Sequence, residues 1–125
     1  FRTQASMDEG VVKIAAMRER VAKITLADKS KIFNTARIEA LEVDNMIEAA
    51  QATMVSAAAR HECRGAHTVL DYDRPADDAT CPLGRDDVNW LKHTLWDKET
   101  NGLSYKPVNL KPLTVASVPP KVRTF

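Results

Sequence analysis

The sequence contains few cysteines and few glycines. There are two cysteines and four glycines among 125 residues. Two thiols do not make a disulfide framework, and we expect both to be free, as in a cytosolic protein. The glycines lie too far apart for a dinucleotide-binding fingerprint or a phosphate-binding loop, so the sequence indicates no nucleotide site of its own. These residues are Cys63 and Cys81, and Gly10, Gly65, Gly84 and Gly102.

Long apolar runs and a charge imbalance are also absent. The apolar runs are far shorter than the roughly 20 residues that a membrane helix needs, and the chain does not open with a signal-peptide pattern. The net charge of +1 provides no overall field toward nucleic acid or anionic lipid, and we expect no nucleic-acid partner. With 44% hydrophobic and 28% charged residues, the composition is typical of one soluble globular domain spanning 1–125.

Proline is missing from the first 74 residues. Because proline breaks helices, the first half is free to be helical and the second half is interrupted. The first helix is predicted from about Thr3 to Lys23, with Ser6 as one possible start. Its apolar stripe is formed by Met7, Val11, Ile14 and Val21.

The second helix is predicted to begin at Asn34 or Thr35, either of which can cap it, and to run to about Arg60. The small residues in its second half favour close approach of another helix or a neighbouring domain, although alanine is also simply the best helix former. The predicted core positions are Ile38, Leu41, Met46, Ile47, Ala50, Met54 and Ala58.

Six aspartates between residues 71 and 87 predict an acidic surface loop. Their spacing does not match a calcium-binding loop, which also needs a closing glutamate. A short helical turn is expected at Asp86–Trp90, just before the next element. The aspartates are Asp71, Asp73, Asp77, Asp78, Asp86 and Asp87.

The dipeptide Asn101-Gly102 predicts a β-hairpin with a two-residue turn in which both residues have positive φ. Pro107 cannot donate a ladder hydrogen bond, so its strand should be an edge or should end there. The basic tail that follows is expected to be extended and to lie against another surface. The opposite pairs in this register are Asp97–Lys106, Leu95–Val108 and Lys98–Tyr105.

Residues with reactive side chains do not form a recognisable catalytic pattern. Ser56 and Cys63 are nucleophiles by residue type only, because no nucleophile-elbow motif surrounds them. A zinc site is one hypothesis, but the spacings do not match the paired short spacers of structural zinc sites. The sequence therefore assigns no catalytic, cofactor-binding or metal-binding residue. The zinc candidates would be His61, Cys63 and His67, with Cys81 or His93 as the fourth ligand.

The segment Arg64-Gly65-Ala66-His67 is the most distinctive short motif. Gly65 is expected to adopt a positive φ where the second helix ends. Arg64 can then make charge-assisted, bidentate hydrogen bonds. The motif predicts a structural clamp that holds the second helix to the loop and the hairpin.

Four stretches of the chain resemble one family. HECRGAH is similar to the family pattern E-S-R-G-A-H, with Cys63 at the usual serine, and FNTARIEALEVDNM resembles the opening of the family's long helix. RDDVNWLKHTLW and the ending PPKVRTF also match, with Phe125 where tyrosine is common. In this order the stretches resemble the C-terminal region of the flavoprotein subunit of succinate dehydrogenase and fumarate reductase, and succinate dehydrogenase more closely.

The resemblance implies a mainly α fold: an antiparallel helical bundle whose first helix lies upstream of Phe1. Two helices would occupy 1–62, a loop region 63–90, and a hairpin with an extended tail 91–125. Without the upstream helix, an apolar face would be exposed and would cause self-association. That face comprises Val11, Ile14, Met46 and Met54.

The resemblance also implies a function. The family oxidises succinate to fumarate with FAD, which a histidine nearer the N-terminus holds covalently. Electrons pass to an iron–sulfur subunit and to quinone in a membrane anchor, on the cytoplasmic side of the bacterial inner membrane. Because the family's catalytic residues lie upstream, we expect the isolated chain to bind no FAD and to be inactive. Arg64, Gly65 and His67 are candidates for contact with the flavin-binding domain.

Other interpretations stay open at this point. Fumarate reductase and L-aspartate oxidase share parts of the same pattern. A stand-alone helical interaction module, with the tail or the alanine-rich face as its binding surface, is also compatible with the composition.

Overall fold

The computed structural model describes residues 1–121, so the last four residues of the C-terminal motif, including Phe125, lie outside it. The fold is mainly helical with one antiparallel hairpin, as the sequence predicted. Single-turn 3₁₀ segments at Leu70–Tyr72 and Pro82–Gly84 interrupt the loop between the helices and the hairpin. The other elements are α1 (Gln4–Val21), α2 (Thr35–Ala58), α3 (Asp87–Trp90), β1 (Lys92–Asp97) and β2 (Gly102–Pro107).

The start of α1 is fixed by a reciprocal cap. The Thr3 hydroxyl accepts from the Ser6 amide at 3.2 Å, and the Ser6 hydroxyl accepts from the Thr3 amide at 3.0 Å. Thr3 is therefore the N-cap, and Ser6 is the third helical residue instead of a starting residue. Asn34 caps α2 as predicted, because its side chain accepts from the Arg37 amide at 2.8 Å.

The core lies where α1 and α2 cross the loop that follows them. Met7, Ala58 and Val69 are buried, and Met54 packs against them. The two helices run antiparallel and approach closely at Gly10, where an added Cβ would lie 2.9 Å from the Met54 sulfur. A larger residue at this position would require the end of the flexible Met54 side chain to move.

Three of the predicted core positions on α2 are wrong. Ile38, Leu41 and Met46 are 56%, 57% and 60% exposed, whereas Ile47 is 7% exposed. Ile38 lies nine residues before Ile47, which corresponds to two and a half helical turns and places the two on opposite faces. Because α1 covers only one face of α2, a single stripe of α2 is buried.

The hairpin has a longer turn than Asn101-Gly102 predicts. Asp97 pairs with Gly102 and Leu95 pairs with Ser104, so a four-residue loop replaces the two-residue turn and the predicted pairs are wrong. Of the two residues Asn101 and Gly102, Asn101 alone has the positive φ that was predicted for both. The Asp97 carboxylate stabilises the longer loop, because it accepts from the Thr100 amide at 2.8 Å. The paired strand ends at Pro107, in agreement with the prediction.

Polar contacts hold the hairpin against the helices. The Gln51 side chain, 6% exposed, accepts from Arg18 of α1 and donates to the Asn101 side chain at 3.0 Å. The Trp96 indole nitrogen donates to the same Asn101 oxygen at 2.8 Å. Asn101 therefore connects the hairpin turn to α2 directly and, through Gln51, to α1. Within residues 1–121, no helix is long and apolar enough to cross a membrane.

Candidate interdomain contact site

A fully buried carboxylate organises the segment that follows α2. Glu62 has no exposed surface, and its two oxygens accept four hydrogen bonds. Oε1 accepts from Arg60 Nη1 and, at 2.7 Å, from Arg64 Nε. Oε2 accepts from Arg64 Nη2 and from the Asp86 amide, both at 3.0 Å. A buried charge is tolerated only when it is paired and fully hydrogen-bonded, and Glu62 meets both conditions.

Arg60 connects this carboxylate to the hairpin. Its Nη1 donates to the Trp90 carbonyl at 3.0 Å, and its Nη2 donates to the Lys92 carbonyl at 2.6 Å. The guanidinium carbon also lies 5.3 Å from the centre of the Trp90 ring, within cation–π range. Arg60 therefore fixes the end of α3 and the start of β1 to the segment after α2.

Arg64 makes the second half of the arrangement. Its planar guanidinium makes bidentate hydrogen bonds, as the sequence predicted, and the partner is Glu62; its Nη2 also donates to Asp87 Oδ1 at 2.6 Å. The Arg64 side chain is 27% exposed. Burial lowers the pKa of Arg64, but the hydrogen bonds to Glu62 and Asp87 raise it by more than burial lowers it. The net shift of the Arg64 pKa is therefore upward. We call Arg60, Glu62, Arg64 and Asp87 the buried clamp.

Asp87 is held from two sides. Besides Arg64, Arg85 donates to it through Nε at 2.9 Å and Nη2 at 2.7 Å. The Arg85 hydrogen bonds lower the pKa of Asp87, burial opposes them, and the Arg64 hydrogen bond lowers it further. The neighbouring Asp86 caps α3 by accepting from the Asn89 amide at 2.9 Å, which confirms the predicted helical turn.

Residues 64–67 form a tight turn. The Arg64 amide donates to the His67 carbonyl at 2.8 Å, and the His67 amide donates back at 3.0 Å. Gly65 has φ +58° at the first central position of this turn, where glycine is strongly favoured. Its positive φ was predicted, but its place at the helix end was not correct, because α2 ends at Ala58.

The tip of the turn is open. Gly65 and Ala66 are exposed, and no heavy atom lies within 4 Å of a Cβ built on Gly65. His67 is partly buried, with its Nε2 3.0 Å from the Arg60 carbonyl. Of the three candidate contact residues, Arg64 and His67 are engaged within the chain, whereas Gly65 presents free surface.

The former zinc candidates have other contacts. The Cys63 sulfur lies 3.3 Å from both the amide and the carbonyl of Val69, and the His61 ring stacks on Tyr72 at 5.4 Å. No three histidine, cysteine, aspartate or glutamate side chains converge as a metal site in the part of the chain that the structure describes. Both cysteines are free thiols, Cys63 buried and Cys81 partly buried.

Cys63 packs directly against Gly84. The Cys63 amide donates to the Gly84 carbonyl at 2.8 Å. A Cβ on Gly84 would lie 2.2 Å from the Tyr72 carbonyl oxygen and 3.1 Å from the Cys63 sulfur, and the φ of Gly84 is +75°. Glycine is therefore required here by both space and backbone conformation.

Beside the clamp, an open groove of about 550 Å³ lies between the helices and the hairpin. Its polar side contains Gln4 and Tyr72, whose hydroxyl donates to the Gln4 side chain at 3.0 Å. Burial, together with the negative charges of Asp71 and Asp8, raises the pKa of Tyr72. The remaining lining is largely apolar: Val11, Val55, Ala58, Ala59 and Leu103.

Sequence reasoning found Arg64 but missed Arg60 and Glu62 as its partners. The available signal was the alternation Arg60, Glu62, Arg64: in an extended segment, residues two apart lie on one side. Charges of opposite sign at that spacing can pair. Predicting a helix up to Arg60 hid the pattern, because residues two apart on a helix do not face each other.

Comparison with known proteins gives one family for the whole chain. The family model described as "Fumarate reductase flavoprotein C-term" matches residues 1–125. The succinate dehydrogenase flavoprotein subunit of Coxiella burnetii is 43% identical over 123 residues, which cover 98% of this chain and 19% of that protein. The fumarate reductase flavoprotein subunit of Haemophilus influenzae is 41% identical over 113 residues, covering 88% and 17%.

A solved structure shows the same fold. A variant of the Escherichia coli quinol fumarate reductase subunit FrdA superimposes with a TM-score of 0.73 and 34% sequence identity. The match covers 94% of this chain and 19% of that subunit. The chain therefore spans about a fifth of the length of the relatives it matches.

Proposed function

Because this chain belongs to the family of C-terminal domains of succinate dehydrogenase and fumarate reductase flavoprotein subunits, we propose that it serves in a succinate dehydrogenase. The whole enzyme would oxidise succinate to fumarate, and FAD would accept the two electrons of that oxidation. The electrons would pass to an iron–sulfur subunit and then to quinone in a membrane anchor. The enzyme would be peripheral on the cytoplasmic side of a bacterial inner membrane.

The role that we propose for these residues is structural. The single observation that supports it is the buried clamp, in which the charges of Arg60, Glu62 and Arg64 pair with one another and with main-chain groups. Charges used in this way hold elements together instead of performing proton transfer. The clamp fixes the turn at 64–67, whose exposed tip would contact the flavin-binding domain.

FAD would be bound by the remainder of the polypeptide. A flavin dinucleotide needs closely spaced glycines beside its pyrophosphate, and here the glycines occupy a helix, a turn, a 3₁₀ segment and a strand end. These residues do not fit such a cradle. We therefore expect the 125 residues alone to bind no flavin and to oxidise no succinate.

The experiment is to express the longest reading frame that contains this chain, with the 125-residue chain as the control. We expect the long product to show a flavin absorption spectrum and to reduce an artificial electron acceptor when succinate is added. The short product should do neither. A flavin spectrum from the short product would overturn the structural role, and a long product without flavin would overturn the enzyme assignment.

Succinate dehydrogenase is preferred over fumarate reductase because the C. burnetii subunit is 43% identical to this chain, against 41% for the H. influenzae and 34% for the E. coli fumarate reductase subunit. Assaying both directions in the purified complex, with a high-potential and a low-potential quinone, would test this preference. L-aspartate oxidase is a further alternative, and aspartate-dependent flavin reduction in the same preparation would identify it.

Self-association of the isolated chain is a separate proposal. Of the four residues on the proposed face, Met46 is 60% exposed, whereas Val11, Ile14 and Met54 are partly covered. Sedimentation at increasing concentration is expected to show dimers, and Met46→Lys should shift the chain toward monomer. Purely monomeric behaviour at high concentration would contradict the proposal.

A further inference from the structure

Phe33 is an exposed aromatic residue held in an unfavourable backbone conformation. Its side chain is 97% exposed, and its φ is +50°. A positive φ is rare for a residue with a bulky side chain, because Cβ then lies too close to the carbonyl oxygen. Residues in such conformations persist only where the surroundings enforce them, and they cluster at functional contacts. Contacts of the Phe33 side chain with its own chain do not explain the conformation.

The neighbouring residue enforces this conformation. The Asn34 side chain is 9% exposed and donates to the carbonyls of Asp28, at 3.1 Å, and Ser30, at 3.0 Å. Its oxygen accepts from the Arg37 amide while Asn34 caps α2. The loop from Asp28 to Asn34 is therefore bonded to the start of the helix. It presents Phe33 in one orientation, as a preorganised contact residue would be presented.

The surroundings of Phe33 have a defined chemistry. Between residues 20 and 41 there are five basic residues and two acidic residues, Asp28 and Glu39. Ile24 and Ile32, on the same loop, are 46% and 77% exposed, and Leu41 on α2 is 57% exposed. This basic and apolar end of the helix pair, which we call the α1–α2 tip, fits an apolar pocket with an acidic rim. The basic residues are Arg20, Lys23, Lys29, Lys31 and Arg37.

We propose that the α1–α2 tip docks, with Phe33 as its anchor, into an apolar pocket with an acidic rim on the remainder of the same flavoprotein polypeptide. We assign the pocket to the same polypeptide because the chain accounts for only 19% of the length of a relative such as the C. burnetii subunit. A large surface of the same polypeptide is thus available next to this domain. The inference rests on the proposed function, since it requires that longer polypeptide.

The test uses the full-length flavoprotein with Phe33 replaced by the photoreactive analogue p-benzoylphenylalanine. Irradiation should crosslink position 33 to a residue outside the 125-residue chain but within the same polypeptide, as peptide mapping by mass spectrometry would show. Denaturation in urea before irradiation should abolish that crosslink. Crosslinks to a second copy, to another subunit or to solvent alone would each overturn the proposal.

A pair of variants tests the anchor without a probe. Phe33→Gly removes the side chain and suits the positive φ, so it does not disturb the loop itself. In the full-length protein, we expect trypsin to cleave after Lys29 and Lys31 at least tenfold faster in this variant. Val12→Ala, at an exposed apolar position on α1, is the control and should cleave as the parent does. Equal rates in all three proteins would contradict docking.

The flavin spectrum of the same preparation distinguishes a failure of docking from a failure of the proposed enzyme activity. If the full-length protein binds FAD and position 33 gives no internal crosslink, the docking proposal fails and the proposed function stands. If the long reading frame yields no flavoprotein, the proposed function fails first, and the docking proposal fails with it.

Discussion

The two ends of α2 are stabilised in different ways. At its C-terminal end, Ala58 is buried, and the chain continues directly into the buried clamp. At its N-terminal end, Ile38 and Leu41 are more than half exposed, and one loop of hydrogen bonds fixes the entry into the helix. The side chains at the C-terminal end are therefore buried or paired by groups of this chain. The N-terminal end presents apolar side chains that only another surface can bury.

At these two ends, one charged residue and one apolar residue each depart from the usual rule that charges are exposed and apolar side chains are buried. A charged residue, Glu62, is fully buried, while Phe33 is almost fully exposed. Partners decide both cases: two arginines surround Glu62, whereas Phe33 lies on the loop before α2 and its side chain is left uncovered. Substitutions at the two ends should therefore have very different effects on the stability of the chain.

The largest effect is expected from Glu62→Gln. The neutral amide leaves Arg60 without a counter-charge and Arg64 with Asp87 alone, and breaking a buried pair in this way costs about 3–5 kcal/mol. Urea denaturation at neutral pH would measure the loss. Glu39→Gln, an exposed carboxylate at the other end of α2, is the matched control and should change the free energy of unfolding by less than about 0.5 kcal/mol. A loss below about 1 kcal/mol for Glu62→Gln would show that the clamp is dispensable.

The next effect compares two methionines. Met7 is 3% exposed, and Met7→Ala should lower the free energy of unfolding by about 2–4 kcal/mol, because it leaves a cavity between the helices. Met46 is 60% exposed, and Met46→Ala should change it by less than about 0.5 kcal/mol. Measurement at low protein concentration keeps self-association from contributing. Similar losses in both variants would mean that the Met46 face is covered in solution.

A smaller effect is expected from Arg64→Ala in the full-length flavoprotein. The change removes a bidentate hydrogen-bonded pair and should cost about 1–3 kcal/mol, seen as earlier thermal unfolding and lower flavin retention. Arg64→Lys should be intermediate, because lysine keeps the charge but loses the planar fork. Turnover per bound flavin should not change. A fall in turnover with normal folding and flavin content would place Arg64 close to the active site and would contradict a purely structural clamp.

The smallest effect concerns acid stability. The pKa of Asp87 is lower in the folded chain, chiefly because of Arg85, so its contribution is fully present above the unfolded pKa of about 3.9 and is lost as pH falls through the folded pKa. Since the Asp87 side chain is 45% exposed, the contribution should be below about 1 kcal/mol. Urea unfolding at pH 5 and pH 3 would measure it, and Asp87→Asn should lose less stability over this interval. An unchanged pH dependence in that variant would exclude Asp87 as the cause.

Local signals in the sequence predicted most of the elements. Proline placement separated the helical half, Asn34 identified the start of α2, and the aspartate at position 86 indicated the short helix α3. These features depend on residues close in sequence, so one chain is enough to infer them. The family resemblance then gave the fold class, which the structural match to FrdA supports.

Features that depend on distant residues were harder to predict. The hairpin register is shifted because Asp97 stabilises a four-residue loop through Thr100, and this outweighs the turn preference of Asn101-Gly102. The exposure of Ile38 depends on which face α1 covers, and periodicity alone does not determine that face. The roles of Arg60 and Glu62 depend on main-chain groups 24–32 residues away.

The packing of Cys63 against Gly84 gives the protein an internal reporter of partial opening. A thiol reagent can reach partly exposed Cys81 in the native state, but it can reach buried Cys63 only when the contact with residues 81–86 separates. The ratio of the two labelling rates therefore measures how often this loop opens, without any introduced probe. Substitutions in the clamp should raise the labelling rate of Cys63 alone, whereas substitutions at the α1–α2 tip should leave both rates unchanged.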